Sequence, residues 1–410
     1  MVSQAIIELT VESQKNNIAE HDFGVRRDLL AELRATESYA VVLSGIRRCG
    51  KSTLMQQVLK QSEQPTFYIN FDDPRLFRFE MQDFQLLDNI ISAQKATVLF
   101  FDEIQVVEGW ELYVRQKLDE GFLVFVTGSN ASLLSRELGT KLTGRHISKE
   151  LFPFSYTEFL SCKNLGAGEE SFKHYFETGG FPEYIKTLHA DMPAMLLQDI
   201  LYRDIAVRHG VRDIRALKQL TVFALSNVGN LITANKIYQS LGIKTVTTVL
   251  EYFSFLEDAY LLAFMPKFSY SLKVQSVNPR KMYVVDSAII QAVSVSFSKD
   301  LGHILENIIY WELRRNFKEL YYFKENNREC DFVVMQSGKL QQLIQVCYEL
   351  TPENRTRETD GLHEAMDFFK TDQGIIITFN QKDAYMRNGR QIDIIPAWQF
   401  LQNTKSCFSC

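Results

Sequence analysis

"YAVVLSGIRRCGKSTLMQQVLKQ", residues Tyr39–Gln61, decides the fold of the first third of the chain. It opens as a short apolar, β-branched run, passes through a glycine-containing loop and enters a helical pattern. Within it Gly45 to Ser52 read G-x-x-x-x-G-K-S. A loop of that spacing wraps a phosphate so that successive backbone N–H groups point inward at a helix N-terminus. Gly50 permits the close approach. Lys51 extends into solvent-filled space toward the β- and γ-phosphates, and the Ser52 hydroxyl ligates Mg²⁺. The expected nucleotide-contacting set is Gly45, Arg48, Cys49, Gly50, Lys51, Ser52 and Thr53. Arg47 and Arg48 are placed to touch nucleotide or a neighbouring molecule.

A second stretch agrees with the first. "ATVLFFDEIQ" (Ala96–Gln105) reads as a buried strand ending in Asp102-Glu103. An acid at the carboxyl end of such a strand lies beside the phosphate loop, so Asp102 is expected to hold Mg²⁺ through water and Glu103 to polarise the attacking water. A third strand, "FLVFVTGSN", ends in Thr127, Ser129 and Asn130, which are candidates to contact the γ-phosphate or the water. Arg145 precedes a further strand. It reads either as a sensor of transferred charge, in cis or from a neighbour, or as a surface salt bridge.

Bulk properties set the surroundings. A chain of 410 residues exceeds one ordinary core and implies two or three domains. Apolar content of 46% and charged content of 23% are those of a globular protein. A net charge of −5 gives no overall pull toward nucleic acid, so any such contact needs a local basic patch. The N-terminus lacks the apolar core of a secretory signal, and no run approaches the ~18 apolar residues of a membrane helix. The six cysteines are scattered, as suits a reducing cytoplasm. Cys407 and Cys410 have redox or zinc-half-site spacing but no second pair, and read as free thiols of a frayed tail.

Several stretches together, "GIRRCGKST", "FFDEIQVVEGWE", "VTGSNASLLSRELGTKLTGRHISKELFPFSYTEFL", "GGFPEY" and "ILYRDIAVRHGVRD", resemble a bacterial and archaeal AAA+-like ATPase family. The resemblance runs from about Arg26 to Phe379. It implies an α/β chain: a P-loop ATPase core, a winged-helix middle and a restriction-endonuclease-like end. It places the family's phosphate-loop and acidic roles on Gly50, Lys51, Ser52, Asp102 and Glu103, with ATP and Mg²⁺ as ligands. The expected domains are residues 1–205 (ATPase with helical lid), 206–295 (winged helix), 296–402 (restriction-endonuclease-like) and a tail, 403–410.

The middle gives its own signals. Gly179-Gly180 and Pro182 break a helical pattern, as a lid hinge would, and Arg203-Asp204 reads as a structural ion pair. "LITANKIYQSLGIKTVTTVLEYFSFLEDAYLL" reads as helix-turn-helix, with Ala234–Leu241 first, Gly242 at the turn and a second helix from Val246 to about Leu256. That second helix carries threonines and acids rather than base-reading side chains. The following hairpin wing is richer, with Lys267, Lys273, Arg280 and Lys281. Any DNA binding is therefore expected to be weak and non-specific; a protein partner fits better.

"CDFVVMQSGKLQQLIQVCYEL" (Cys330–Leu350) reads as a hairpin, with Asp331 leading one strand, Ser337-Gly338 at the turn and Leu343–Leu350 returning. Gln345, Cys347 and Glu349 alternate on one face. By position, Glu306, Asp331, Gln345 and Cys347 match a helix acid, a strand acid and a Glu/Gln-x-Lys strand that bind Mg²⁺ in active nucleases. Cys347 stands where the lysine belongs. As a neutral thiol beside carboxylates it supplies no cation. The domain is expected to be inactive, with residual metal binding by Glu306, Asp331 and Gln345 and an amine from Lys324 as the routes to rescue. The whole is read as a cytoplasmic Mg-ATPase that drives a conformational change on a macromolecular partner. The rivals are an ATP-dependent nuclease or repair factor, and a slow nucleotide switch that recruits protein.

Overall fold

The computed structural model describes residues 2–20, 23–34, 38–129, 142, 144–293, 300–326, 328–387 and 389–407. Contacts divide the chain into two compact units, Met1–Phe152 with Asp258–Tyr260, and Pro153–Glu257 with Leu261–Cys410.

The first unit is built on five parallel strands: β1 (Ala40–Ser44), β2 (Thr66–Asn70), β3 (Val98–Asp102), β4 (Leu123–Gly128) and β5 (His146–Glu150). Their order is β2-β3-β4-β1-β5. β1 and β3 are buried along their whole length, the pattern of parallel strands covered on both faces. The helices Lys51–Gln61, Phe84–Ala93 and Trp110–Asp119 supply the crossovers. The core is aromatic: Phe71 meets Phe79, Phe84 and Phe101 edge-on, and Phe84 stacks on Tyr113 at 3.9 Å.

The second unit begins with the helices Tyr156–Lys163, Glu169–Thr178, Pro182–Thr187 and Met192–Asp199. Ser155 and Glu158 form a capping box at the first of them. These helices, expected as a lid of the nucleotide domain, pack in this unit. Gly179-Gly180 is not built as a hinge. A Cβ on Gly180 would come within 2.4 Å of the Phe154 carbonyl oxygen, and one on Gly179 within 2.0 Å of Asp286. The Gly180 N–H donates to Asp286 at 2.6 Å, so the glycines permit close packing. Arg203 pairs with Asp199 at 3.9 Å, one turn back along the helix, and not with the adjacent Asp204, which leaves the helix in another direction.

Next come the helix Ile214–Leu225, strand β6 (Leu231–Ile232), the helices Ala234–Leu241 and Val246–Asp258, and strands β7 (Leu262–Met265) and β8 (Arg280–Val284). Gly242 takes the left-handed conformation that ends the first short helix. The strands form a small antiparallel sheet, β6-β8-β7. The connection from β7 to β8 is not a plain hairpin, since it contains the helix Leu272–Val277.

The last part runs helix Leu301–Asn316, β9 (Glu319–Glu325), β10 (Arg328–Gln336), β11 (Lys339–Val346), helix Pro352–Phe369, β12 (Gln373–Thr378), β13 (Asp383–Arg387), β14 (Arg390–Pro396) and helix Ala397–Cys407. The sheet order is β13-β14-β12-β11-β10-β9. Ser337 and Gly338, both at positive φ, close the β10–β11 hairpin as a two-residue turn. Three details differ from the sequence reading. A strand, β9, precedes the hairpin. β11 ends at Val346, so Cys347 and Glu349 lie beyond it and do not continue its face. The terminal helix runs through Cys407, while Cys410 lies outside the described residues.

Candidate functional site

The carboxyl edge of the parallel sheet gathers the phosphate loop and the acids. Ser44 closes β1 and the loop follows it. Gly45 has φ 153°, and a Cβ there would come within 2.1 Å of the Leu151 carbonyl oxygen. Gly50 has φ 100° and opens the helix Lys51–Gln61 with no side chain capping its first amides. A helix start of that kind fits an anion. Lys51 is buried, and its ammonium donates to the carbonyls of Gly45 at 3.0 Å and Ile46 at 3.1 Å, so it lies across its own loop and not in open solvent. Cys49 is fully buried and turns its thiol to the Leu151 carbonyl at 3.4 Å, while its N–H donates to Ile46. Arg48 is exposed, and Arg47, Ser52 and Thr53 are half-buried.

The two acids stand beside the loop with β4 between β3 and β1. Asp102 is fully buried. Its carboxylate accepts from Tyr68 at 2.8 Å and from Thr127, and the Ser52 hydroxyl acts on it as well. Burial pushes its pKa up, Glu103 adds to this, and the three hydroxyls oppose it. Glu103 adopts a left-handed backbone at φ 51°, its N–H donates to Thr127 Oγ1 at 2.9 Å, and its carboxylate lies 3.9 Å from Lys51. Thr127 therefore serves the acids: one hydroxyl bridges both residues. Ser129 is buried, and Asn130 lies outside the described residues.

Arg145 is not brought to this edge. β1 and β5 run parallel, with Ala40 opposite His146 and Ser44 opposite Glu150. Arg145 thus marks the amino end of the sheet, roughly 15 Å of strand away from the loop. There it pairs with Asp119 and donates to the Ser38 carbonyl at 3.1 Å. Within one chain, of the two readings of this residue, it is the salt bridge that forms.

Two supports escaped the sequence reading. Arg27, 2% exposed, donates to the Cys49 carbonyl and to the Phe152 carbonyl, each at 2.7 Å. Gln57 donates to the carbonyls of Phe23 and Val25 at 2.9 and 2.8 Å. Both tie the segment before β1 to the loop and its helix. An isolated arginine ahead of the first strand carries no periodic signal; its burial is the only clue.

In the second unit, Glu306, Asp331 and Gln345 do come together. The β9–β10 register shifts between Cys330 and Val333, so Asp331 sits in an irregularity that re-aims side chains. Its N–H donates to Gln345 Oε1 at 3.2 Å, and its Oδ2 accepts from the Val346 N–H at 2.9 Å. Gln345 in turn donates to Glu358 at 2.9 Å. Burial and then Glu358 push the Cys347 thiol up to about 11, so it stays neutral. Among the described residues Lys324 pairs with Glu329, at 2.9 Å, and not with Glu306 or Asp331. The amine among the acids is Lys281, expected on an exposed basic wing but 2% exposed here. Lys281 and Tyr283 alternate on one face of β8, while Arg280, Met282 and Val284 share the other. Among the described residues no group of three or more His, Cys, Asp or Glu is arranged to hold a metal, and no helix is long and apolar enough to cross a membrane.

Residues 37–160 match an AAA domain; residues 169–300 and 301–400 match two domains of unknown function, DUF8612 and DUF4143. The uncharacterized protein MJ1544 of Methanocaldococcus jannaschii is 34% identical over 98% of this chain and 96% of its own length. An uncharacterized protein of Haemophilus influenzae is 30% identical over 87% of this chain and 93% of its own. A solved signal transduction ATPase with a tetratricopeptide repeat sensor, from Pyrococcus horikoshii, covers 72% of this chain and 47% of its own at 14% identity and a TM-score of 0.26, too small a likeness to bear on the fold. The chain belongs to the family of the Methanocaldococcus and Haemophilus proteins, and its phosphate loop and paired acids lie in an AAA-type nucleotide-binding domain.

Proposed function

We propose that the first unit binds and hydrolyses Mg-ATP and that the second carries the response to a macromolecular partner. The observation that supports hydrolysis most strongly is the convergence of Ser52, Asp102, Thr127 and Glu103 at the loop's edge. The donor set fits a hard cation: one hydroxyl and one carboxylate, both oxygen. Mg²⁺, when bound through Ser52 and Asp102, would neutralise charge on the phosphates. The chain's own residues supply the rest. The loop amides and the start of helix Lys51–Gln61 receive phosphate oxygens. Lys51 exchanges its carbonyl partners for them. Tyr68 and Thr127 hold the Asp102 carboxylate still. Glu103, fixed by its N–H on Thr127, accepts the proton of the attacking water. Arg145 has no part in this within one chain; a role toward a neighbouring copy is kept only as a test outcome.

For the second unit, the order helix–strand–helix–helix–strand, with a short helix before the last strand, supports a winged-helix module, and the order helix–three strands–helix–strand supports a restriction-endonuclease-like module. Neither module is read as catalytic. With Lys281 withdrawn into the interior, Lys273 and Arg280 remain as exposed basic groups beside half-buried Lys267. Any DNA contact is therefore weak and salt-sensitive, and a protein partner fits the unit better. An amine does reach the acids of the nuclease alternative, from Lys281 and not from Lys324, but its three N–H donors are taken up by Glu306, Glu329 and Asp331, so none is left to hold a water or a phosphate.

The test is Glu103→Gln. ATP should remain bound while turnover falls by ~10²-fold or more, the scale of losing a general base. Turnover equal to that of the natural chain would overturn the assignment. A pull-down with this variant, with and without ATP, then reports whether a protein partner is held in the ATP state.

A further inference from the structure

Lys281 lies on β8, a strand of the small antiparallel sheet, yet its ammonium is surrounded by acids of the neighbouring module. Nζ stands 2.7 Å from Asp331 Oδ1, 2.8 Å from Glu329 Oε1 and 2.9 Å from Glu306 Oε1. An ammonium has three N–H donors, and here each has one carboxylate oxygen, so its valence is filled. Tyr283, on the same face of β8, donates to Glu306 at 2.7 Å. The second Asp331 oxygen is taken by the Val346 N–H, and Glu329 also receives Lys324. Burial works against the lysine's charge, but Asp331, Glu306 and Glu329 outweigh it and hold its pKa well above the ordinary value.

This arrangement floors a cleft of about 800 Å³ lined by Glu306, Glu329, Asp331 and Gln345, with Lys324 and Arg357 among its other side chains. Three carboxylates gathered at one point repel unless a cation stands among them. In oxygen-rich clusters of this sort that cation is commonly divalent. Here the chain supplies its own, from an element 25 residues before Glu306 and 50 before Asp331.

We propose that Lys281 is a built-in counter-ion among Glu306, Glu329 and Asp331: with its ammonium in place the acids are not arranged to hold a divalent cation, which it excludes, and it fastens the small sheet to the large one. The inference is independent of the ATPase reading. It gives the acid centre a structural task in place of a chemical one.

The test compares thermal midpoints of nucleotide-free full-length chains with and without millimolar MnCl₂. The natural chain should be unmoved by Mn²⁺. Lys281→Met should melt about 10 °C lower, because one partner of a buried charge set is gone. Mn²⁺ should restore at least half of that loss, and the double variant Lys281→Met/Asp331→Asn should not recover. A Lys281→Met chain as stable as the natural one would overturn the proposal. So would a loss that Mn²⁺ leaves untouched, since the lysine would then not hold a cation's place. Should Lys281→Met fail to fold, calorimetric Mn²⁺ titration of the natural chain decides. Binding that vanishes in Asp331→Asn refutes exclusion; equal traces for the two chains support it.

Discussion

Two centres in this molecule use the same parts differently. The nucleotide edge has Lys51, Asp102 and Glu103; the second unit has Lys281, Glu306, Glu329 and Asp331. At the nucleotide edge the lysine bonds backbone carbonyls and stays 3.9 Å from Glu103, leaving Asp102 with hydroxyl partners alone. In the second unit the lysine is committed to all three acids at 2.7–2.9 Å. The lesson is that acids and a lysine in proximity do not define a catalytic site. What matters is whether the cation's place is left to a ligand or taken by the fold.

Removing each lysine in turn separates the two centres. Lys51→Met should abolish ATP binding in calorimetry while costing little stability, since neutral carbonyls regain water. Lys281→Met should do the opposite, costing about 3–5 kcal/mol of stability because it strands buried acids. Equal effects of the two changes on unfolding would erase the distinction.

A smaller effect is expected from Thr127→Val, which keeps shape but removes the hydroxyl shared by Asp102 and Glu103. It should cost about 1–3 kcal/mol, as for leaving buried partners unsatisfied, and slow phosphate release. Unchanged release would mean that Glu103 is positioned by other contacts.

A pH series tests burial in the second unit away from both centres. Burial raises Asp286 to about 6, against the N–H groups of Gly180 and Ala288. The folded pKa lies above the unfolded one, so the contribution is present at pH below about 4 and is lost as pH rises through about 6. Asp286→Asn mimics the protonated form. Relative to the natural chain, its stability in urea unfolding should improve from pH 4 to pH 7. A constant difference would contradict the assigned cause. The smallest effect belongs to Arg145→Ala: an exposed pair with Asp119 is worth about 0–1 kcal/mol, and turnover should hardly change. A large loss of turnover would point to a neighbouring copy.

How much of this was legible follows from distance along the chain. The phosphate loop is contiguous, and Asp102-Glu103 ends an apolar run, so local pattern revealed both. The hairpin turn at Ser337-Gly338 and the turn at Gly242 were legible for the same reason. Lys281 was misread because its partners come from a helix and a strand far along the sequence. A lysine among "PRKMYVV" looks like an exposed wing until the sheet packs. Thr127 was read as a contact to the γ-phosphate or the water; that it also ties the two acids together was hidden, because the sequence cannot tell that β4 runs between the two functional strands. The Gly179-Gly180 pair looked like a hinge, since close packing and flexibility call for the same residue.

Glu103 serves turnover and not binding. Measuring ATP affinity and steady-state phosphate release on one preparation of Glu103→Gln tests it directly. Affinity within a few-fold of the natural chain, with release reduced ~10²-fold or more, is the predicted result. Undiminished release would contradict it.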